Sequence, residues 1–282
     1  MTSTPSFGSS RRESHDATKF YARGLTSADE DLETTPNAPS AVDVLYAKSS
    51  ENMSEVNDNS VSLMVTSPPY HVGKDYDTDD TFDVYLDLLQ TVFAETYRVL
   101  EPGGRAAVNV AGLGRRPYLP LSTYVDAIML DLGFFPRGEI VWQKAEGASG
   151  SCAWGSWCSP TNPTLRDVHE KILVYSKGRF STHPSKGKGK TMDGPGFMEA
   201  TLSVWKIPPA SAKRVGHPAP FPVELPKRLI ELYTFPGDLV LDPFIGSGAT
   251  AVAAKQAGRH FVGYDNVKEY VALAKRRIRD GV

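Results

Sequence analysis

Cysteine is nearly absent, with Cys152 and Cys158 the two examples in 282 residues. Two thiols cannot complete a four-ligand zinc site, and the disulfide framework of a small secreted domain is not expected. No apolar run approaches the roughly 18 consecutive residues of a membrane-spanning helix, so no membrane partner is expected. The polar start, Met1 to Arg12, lacks the apolar core of a signal peptide, and a cytoplasmic location is the expectation. An excess of charge is missing too, since 31 Lys and Arg stand against 33 Asp and Glu, a formal balance of −2. That excludes a uniformly basic surface but averages over local fields, so a basic face must be sought segment by segment. The H-E-x-x-H pattern is absent, and the adjacent His169 and Glu170 suit a strand-leading hydrogen-bond role, so no metal site is predicted.

What is present is a chain with 40% apolar residues, long enough to bury a substantial core. Residues 1–40 are polar, with Pro36 and Pro39 near their end, and read as a mobile arm. Apolar strand signals follow at 42–46, 61–66, 105–111, 138–142, 171–176, 238–242 and 260–264. Helical periodicity appears over 82–100, 118–132, 223–234, 248–257 and 267–279. Seven strands alternating with helices predict an α/β fold with a doubly wound, mostly parallel sheet, whose ligands bind beyond the carboxyl ends of its strands.

Two strand ends carry chemistry. The run Val61 to Val65 leads into Thr66-Ser67-Pro68-Pro69-Tyr70. The prolines lock their own φ and hold Ser67 and Pro68 extended, so the Ser67 hydroxyl and the Pro68 carbonyl have nearly fixed directions beside an aromatic face. Such a site fits a flat ring bearing an amino group, although a bare Pro-Pro-Tyr is more often a turn. The second strand end runs from Asp242 through Pro243-Phe244-Ile245-Gly246-Ser247-Gly248-Ala249-Thr250 into an Ala-rich helix. Gly246, Gly248 and Ala251 match G-x-G-x-x-G/A, and Asp265 closes the next strand 17 residues after Gly248, placed to accept from ribose hydroxyls. The glycines alone fit a dinucleotide equally well. Asp242 tilts the choice, because a carboxylate there repels a pyrophosphate and suits a cationic cofactor.

Together these residues resemble the S-adenosylmethionine-dependent amino-methyltransferases that act on DNA, in the subgroup whose Ser-Pro-Pro-Tyr motif precedes the Phe-x-Gly-x-Gly motif. Further agreement lies at Glu101-Pro102-Gly103-Gly104, Val141-Trp142-Gln143-Lys144, His169-Glu170-Lys171-Ile172 and His217 to Pro222, so the likeness covers about residues 42–279. The chain departs from the family at Ser49, where an acidic residue is common. Neither cysteine follows a proline in the manner of cytosine carbon-5 methyltransferases. The resemblance implies a class I methyltransferase-like sheet in circularly permuted order, with a catalytic half at 41–176, a target-recognition insertion at 177–214 and a cofactor-binding half at 215–282. It implies Ser67, Pro68, Pro69 and Tyr70 as the catalytic motif. Asp242, Phe244, Gly246, Gly248, Thr250, Asp265, His217 and Phe221 would hold S-adenosylmethionine. Serine in place of the aspartate of most adenine enzymes implies cytosine N4 as the target, with adenine N6 as the alternative and a catalytically silent DNA-binding module as the third reading.

The insertion carries eight basic residues against Asp193 and Glu199, a local balance of +6. Its Gly and Pro punctuation predicts irregular loops, and Lys186, Lys188, Lys190 and Arg214 are the candidate contacts to double-stranded DNA. Gly189-Lys190-Thr191 suggests a phosphate loop, but Pro184 stands where the first glycine is required. Trp154 and Trp157 lie in a small-residue loop where either can fill the gap left by an extruded base. A cognate restriction endonuclease and a second copy of the chain are the candidate protein partners.

Overall fold

The computed structural model describes residues 34–70, 81–114, 117–144, 154–183, 186, 189–216, 220 and 222–281, with Arg214 described by its backbone alone. The strands are β1 (Val44–Tyr46), β2 (Val61–Thr66), β3 (Leu100–Val110), β4 (Phe134–Gln143), β5 (His169–Lys177), β6 (Val204–Lys206), β7 (Leu239–Asp242) and β8 (His260–Tyr264). The helices are α1 (Phe82–Val99), α2 (Leu121–Asp131), α3 (Gly194–Ala200), α4 (Ala212–Val215), α5 (Glu224–Tyr233), α6 (Ala249–Gln256) and α7 (Lys268–Asp280). All eight strands form one sheet in the order β1-β8-β7-β2-β3-β5-β4-β6.

The seven-strand expectation is corrected at one point: Val204–Lys206, inside the insertion, is an eighth strand that pairs in parallel with Val141–Gln143. Strict alternation with helices also fails. Among the described residues no helix lies between β4 and β5, and β5 runs antiparallel to both β3 and β4, while the remaining pairings are parallel. The arm boundary shifts as well. Asn37 and Ser40 are tied by hydrogen bonds to Asp58, Asn59 and Glu55, so the segment from residue 37 belongs to the folded body, and residues 1–33 lie outside the described residues.

The sheet is covered on both faces, which is why β2 and β7 read as continuous apolar runs without polar alternation. Leu63, Val65 and Val240 face α5, α6 and α7, whereas Met64, Leu239 and Leu241 face α1 and α2. A register shift between Val61 and Leu63 returns Val61 to the Met64 face. Helix α1 buries Tyr85, Leu89, Val92, Phe93, Thr96 and Val99 along one stripe, and the Thr81 hydroxyl caps its first turn by accepting from Val84 N. Each such side chain, once fully buried, contributes about 1.5–3 kcal/mol. The order of the sheet reverses between β2 and β7, because the chain continues from β2 to β3 on one side and from β7 to β8 on the other. That switch point is where a doubly wound sheet opens a crevice beyond its carboxyl edge.

Candidate active site

The carboxyl ends of β2 and β7 are joined by one buried side chain. Asp242 Oδ1 accepts from the Thr66 hydroxyl at 2.7 Å and from Phe244 N at 3.1 Å, and Oδ2 accepts from the Thr250 hydroxyl at 2.7 Å. Asp242 is 1% exposed, and burial raises its pKa to about 6 although the hydroxyls of Thr250 and Thr66 oppose the shift. The expectation of a carboxylate facing a cationic ligand is thereby modified, since both Asp242 oxygens are held by Thr66, Phe244 N and Thr250, and the two threonines are themselves buried. The glycine loop is fixed from its other side by Asp265, at the end of β8. Its Oδ2 accepts from Gly246 N at 3.0 Å and its Oδ1 from Val267 N at 2.8 Å. Burial raises the Asp265 pKa, and these two backbone donors oppose it.

The loop tests well against the cofactor that the motif implies. Gly246 and Gly248 have φ of 48° and 84°, a region that favours glycine, and a Cβ on Gly248 would lie 2.8 Å from Ala274 Cβ in α7. The loop therefore passes close beneath α7. Asp265 is half-buried and uses one acceptor position of each oxygen, so both oxygens retain capacity for ribose hydroxyls. Phe244 is half-buried and packs against the core on the α1 side. After β1, the Ser49 hydroxyl donates to Glu51 at 2.7 Å, which supplies an acidic group two residues beyond the position where the sequence lacks one. His217 and Phe221 lie outside the described residues.

Ser67 follows Thr66 directly, and its hydroxyl opens a polar cluster. Ser67 Oγ is 3.0 Å from the Tyr70 hydroxyl and 3.4 Å from Asn109 Nδ2. The Tyr70 hydroxyl lies 3.3 Å from both the Asn109 carbonyl and Glu170 Oε2. Asn109 Nδ2 donates to the same Glu170 oxygen at 2.5 Å, and Lys144 pairs with the other. Burial, then the charge of Glu170, pushes the Tyr70 phenol well above its ordinary range. Sequence reasoning assigned no role in the reaction to Asn109, Lys144 or Glu170. The available signal was polar side chains at the ends of otherwise apolar strands, where burial demands partners. Tyr70, expected as a stacking surface, is half-buried, with its ring packed against the core on the α1 side.

The basic residues divide. Lys190 is exposed, Lys188 lies outside the described residues, and Arg214 sits in α4. Lys186 turns inward to Asp238 at 2.8 Å and Glu101 at 3.0 Å, and Lys177 donates to Asn59, Arg98 O and Leu100 O, so neither faces solvent as a free cation. For Lys186 this corrects the expected DNA contact: two acids already hold its ammonium. Trp154 and Trp157 are 41% and 68% exposed, packed edge to face, with the Arg166 guanidinium over Trp154. Among the described residues no group of three His, Cys, Asp or Glu is arranged to hold a metal ion, and no helix is long and apolar enough to cross a membrane.

Comparison with known proteins gives a consistent result. Residues 61–276 match the family described as DNA methylase. The type II methyltransferase M.BglII of Bacillus subtilis is 30% identical over 268 residues, covering 87% of this chain and 73% of its own. A protein of Thermus thermophilus assigned as a DNA modification methylase, solved in complex with S-adenosyl-L-methionine, superposes with a TM-score of 0.67 at 29% identity, over 84% of this chain and 95% of its own. The cytosine-N4-specific PvuII DNA methyltransferase shares the fold, with a TM-score of 0.65 at 20% identity over 89% of this chain and 95% of its own. The family match runs through the Ser-Pro-Pro-Tyr strand end, the glycine loop and every strand between them, and on that span the chain belongs to the DNA methylase family.

Proposed function

We propose that this DNA methyltransferase modifies the N4 amino group of a cytosine flipped out of duplex DNA, as the modification half of a restriction system. S-adenosylmethionine is the cofactor; when bound, it supplies the methyl carbon whose bond to sulfur breaks as its bond to the amino nitrogen forms. The observation that carries the reading is the Asp242 clamp. One carboxylate holds Thr66, next to Ser67, and Thr250, at the head of α6, so the amino acceptor and the glycine loop open on one cleft.

The exocyclic nitrogen is a weak nucleophile because its lone pair is delocalised into the ring. Ser67 Oγ and the Pro68 carbonyl accept its two N–H bonds, favour pyramidal geometry and aim the lone pair at the methyl group. Positioning of this kind can supply about 7–11 kcal/mol of the barrier. Flipping the base costs a few kcal/mol, and stacking on Tyr70 offsets roughly 1–3 kcal/mol of it. In this reading Asp265, Gly246, Gly248 and Phe244 hold the cofactor, and His217 and Phe221 close over its methionine part. Lys188, Lys190 and Arg214 neutralise phosphates, and Trp154 or Trp157 fills the gap left by the base. The order of motifs corresponds to a circular permutation in which the half bearing β1 to β5 precedes the half bearing β7 and β8.

The test is the product. Genomic DNA from a host expressing the chain, digested to nucleosides and analysed by mass spectrometry, is expected to contain N4-methylcytosine. Ser67→Ala is expected to reduce its formation about 10²-fold with cofactor binding retained. N6-methyladenine as the sole product would assign the enzyme to the adenine reading.

A further inference from the structure

The buried polar cluster behind Ser67 has a direction. Asn109 Nδ2 and Lys144 Nζ only donate, and a carboxylate at Glu170 only accepts. Ser67 and Tyr70 carry one hydroxyl proton each. The Tyr70 proton has two acceptors, Glu170 Oε2 and the Asn109 carbonyl, both at 3.3 Å, and Asn109 Nδ2 donates to the Tyr70 oxygen at 3.2 Å. With its proton on either of these acceptors, Tyr70 offers a lone pair to Ser67, 3.0 Å away, and Ser67 is the donor in that contact. Of the two lone pairs of Ser67 Oγ, one meets Asn109 Nδ2 at 3.4 Å and the other is left for the target amino group. An amino group, which offers protons, meets an acceptor there, whereas a carbonyl in the same place would meet like partial charge.

We infer that Glu170 is a positioning residue that polarises the Ser67–Tyr70 hydroxyl chain and receives the proton which the target nitrogen must lose. This rests on the proposed methylation of a base amino group. After the nitrogen has gained its fourth bond it carries one proton too many. That proton passes to Ser67 Oγ as the Ser67 proton passes to Tyr70 Oη and the Tyr70 proton to Glu170 Oε2, so each hydroxyl ends with one proton and the carboxylate ends neutral. Lys144, paired with the other Glu170 oxygen and one-third exposed, marks the side from which the acid returns its proton to water. Serine has no ionised base of its own, and the chain supplies one two hydroxyls away.

The experiment is single-turnover methyl transfer with Glu170→Gln, Tyr70→Phe and the double variant, with cofactor and DNA affinities measured separately. Glutamine keeps the volume of Glu170 but its amide cannot take up the proton, and phenylalanine keeps the ring while removing the relay. Each single variant is expected to slow transfer about 10²-fold, in the lower range for lost proton transfer, with cofactor affinity changed by less than about twofold. The double variant should be no slower than the slower single one, because both break one chain. Rates within about threefold of the parent, or multiplicative losses, would overturn the inference. If Glu170→Gln does not fold, Tyr70→Phe alone decides, and an undiminished rate overturns it. A parent enzyme that methylates no amino group overturns the functional reading and this inference with it; a parent that does, with insensitive variants, overturns this inference alone.

Discussion

At the scale of single residues, Asp242 shows how a site is positioned at the expense of an ionised group. Its carboxyl, 1% exposed, titrates near 6 in the fold against 3.8 ordinarily, with burial as the main cause. Between these values the folded state keeps a proton that the unfolded state has released, so this group favours folding most below about pH 4 and loses that contribution as pH rises through about 6. The shift corresponds to about 3 kcal/mol. Asp242→Asn keeps the volume, can still accept from Thr66 and Phe244, and can donate to Thr250. Urea unfolding without cofactor is expected to show the variant gaining on the parent by up to about 3 kcal/mol between pH 4 and pH 7; a constant difference would mean that Asp242 ionises as freely folded as unfolded. Ser67, Tyr70 and Asp265 were legible because proline and glycine fix the backbone around them. Glu170 and Asn109 were not, since their meaning depends on Tyr70, which lies 100 and 39 residues away in the chain.

At the scale of elements, the insertion differs most from expectation. Its basic residues suggest a loop turned toward DNA, yet β6 completes the sheet, Trp205 is 1% exposed in the core, and Trp142 donates to Ile207 O at 2.8 Å. Lys186 fastens the segment to Glu101 and Asp238. Burial lowers the Lys186 pKa, but its bonds and charge contacts with the two acids outweigh this and leave it raised. Glu101 is raised too, chiefly by burial, because one cation serves two carboxylates and Glu101 lies deeper. Lys186→Met should cost about 3 kcal/mol of stability in chemical denaturation, since breaking a buried pair leaves its acids uncompensated. It should not change the salt dependence of DNA binding. Lys190→Gln, on an exposed residue, should do the reverse and flatten the log–log salt slope by up to about 0.9. A slope equal to the parent's in both variants would mean that neither lysine meets phosphate.

At the scale of the whole molecule, the sheet order carries a prediction about connectivity. β1 lies parallel to β8, and α7 follows β8, so joining Gly281 to Ser40 by a short Gly-Ser linker would turn β8, α7 and β1 into an ordinary crossover unit. A chain that begins at Ala210, runs through that join and ends at Pro209 should fold cooperatively and bind S-adenosylmethionine with affinity close to the parent. Thermal unfolding by circular dichroism and calorimetric titration provide the check. Loss of cooperative unfolding would mean that the native order of the two halves is needed for more than the arrangement of the sheet.

The sequence by itself determined the α/β class, the two strand ends proposed to carry the reaction and the glycine loop proposed to hold the cofactor. These are local consequences of apolar periodicity, of proline and glycine dihedrals and of short fixed spacings. Tertiary structure alone decided that β2 and β7 are neighbours, that Asp242 clamps them, that β5 runs against its neighbours and that two of the insertion's lysines point inward. Each of these depends on contacts between residues far apart in the chain, whose geometry is set when the sheet closes on its helices and buried charges must find partners.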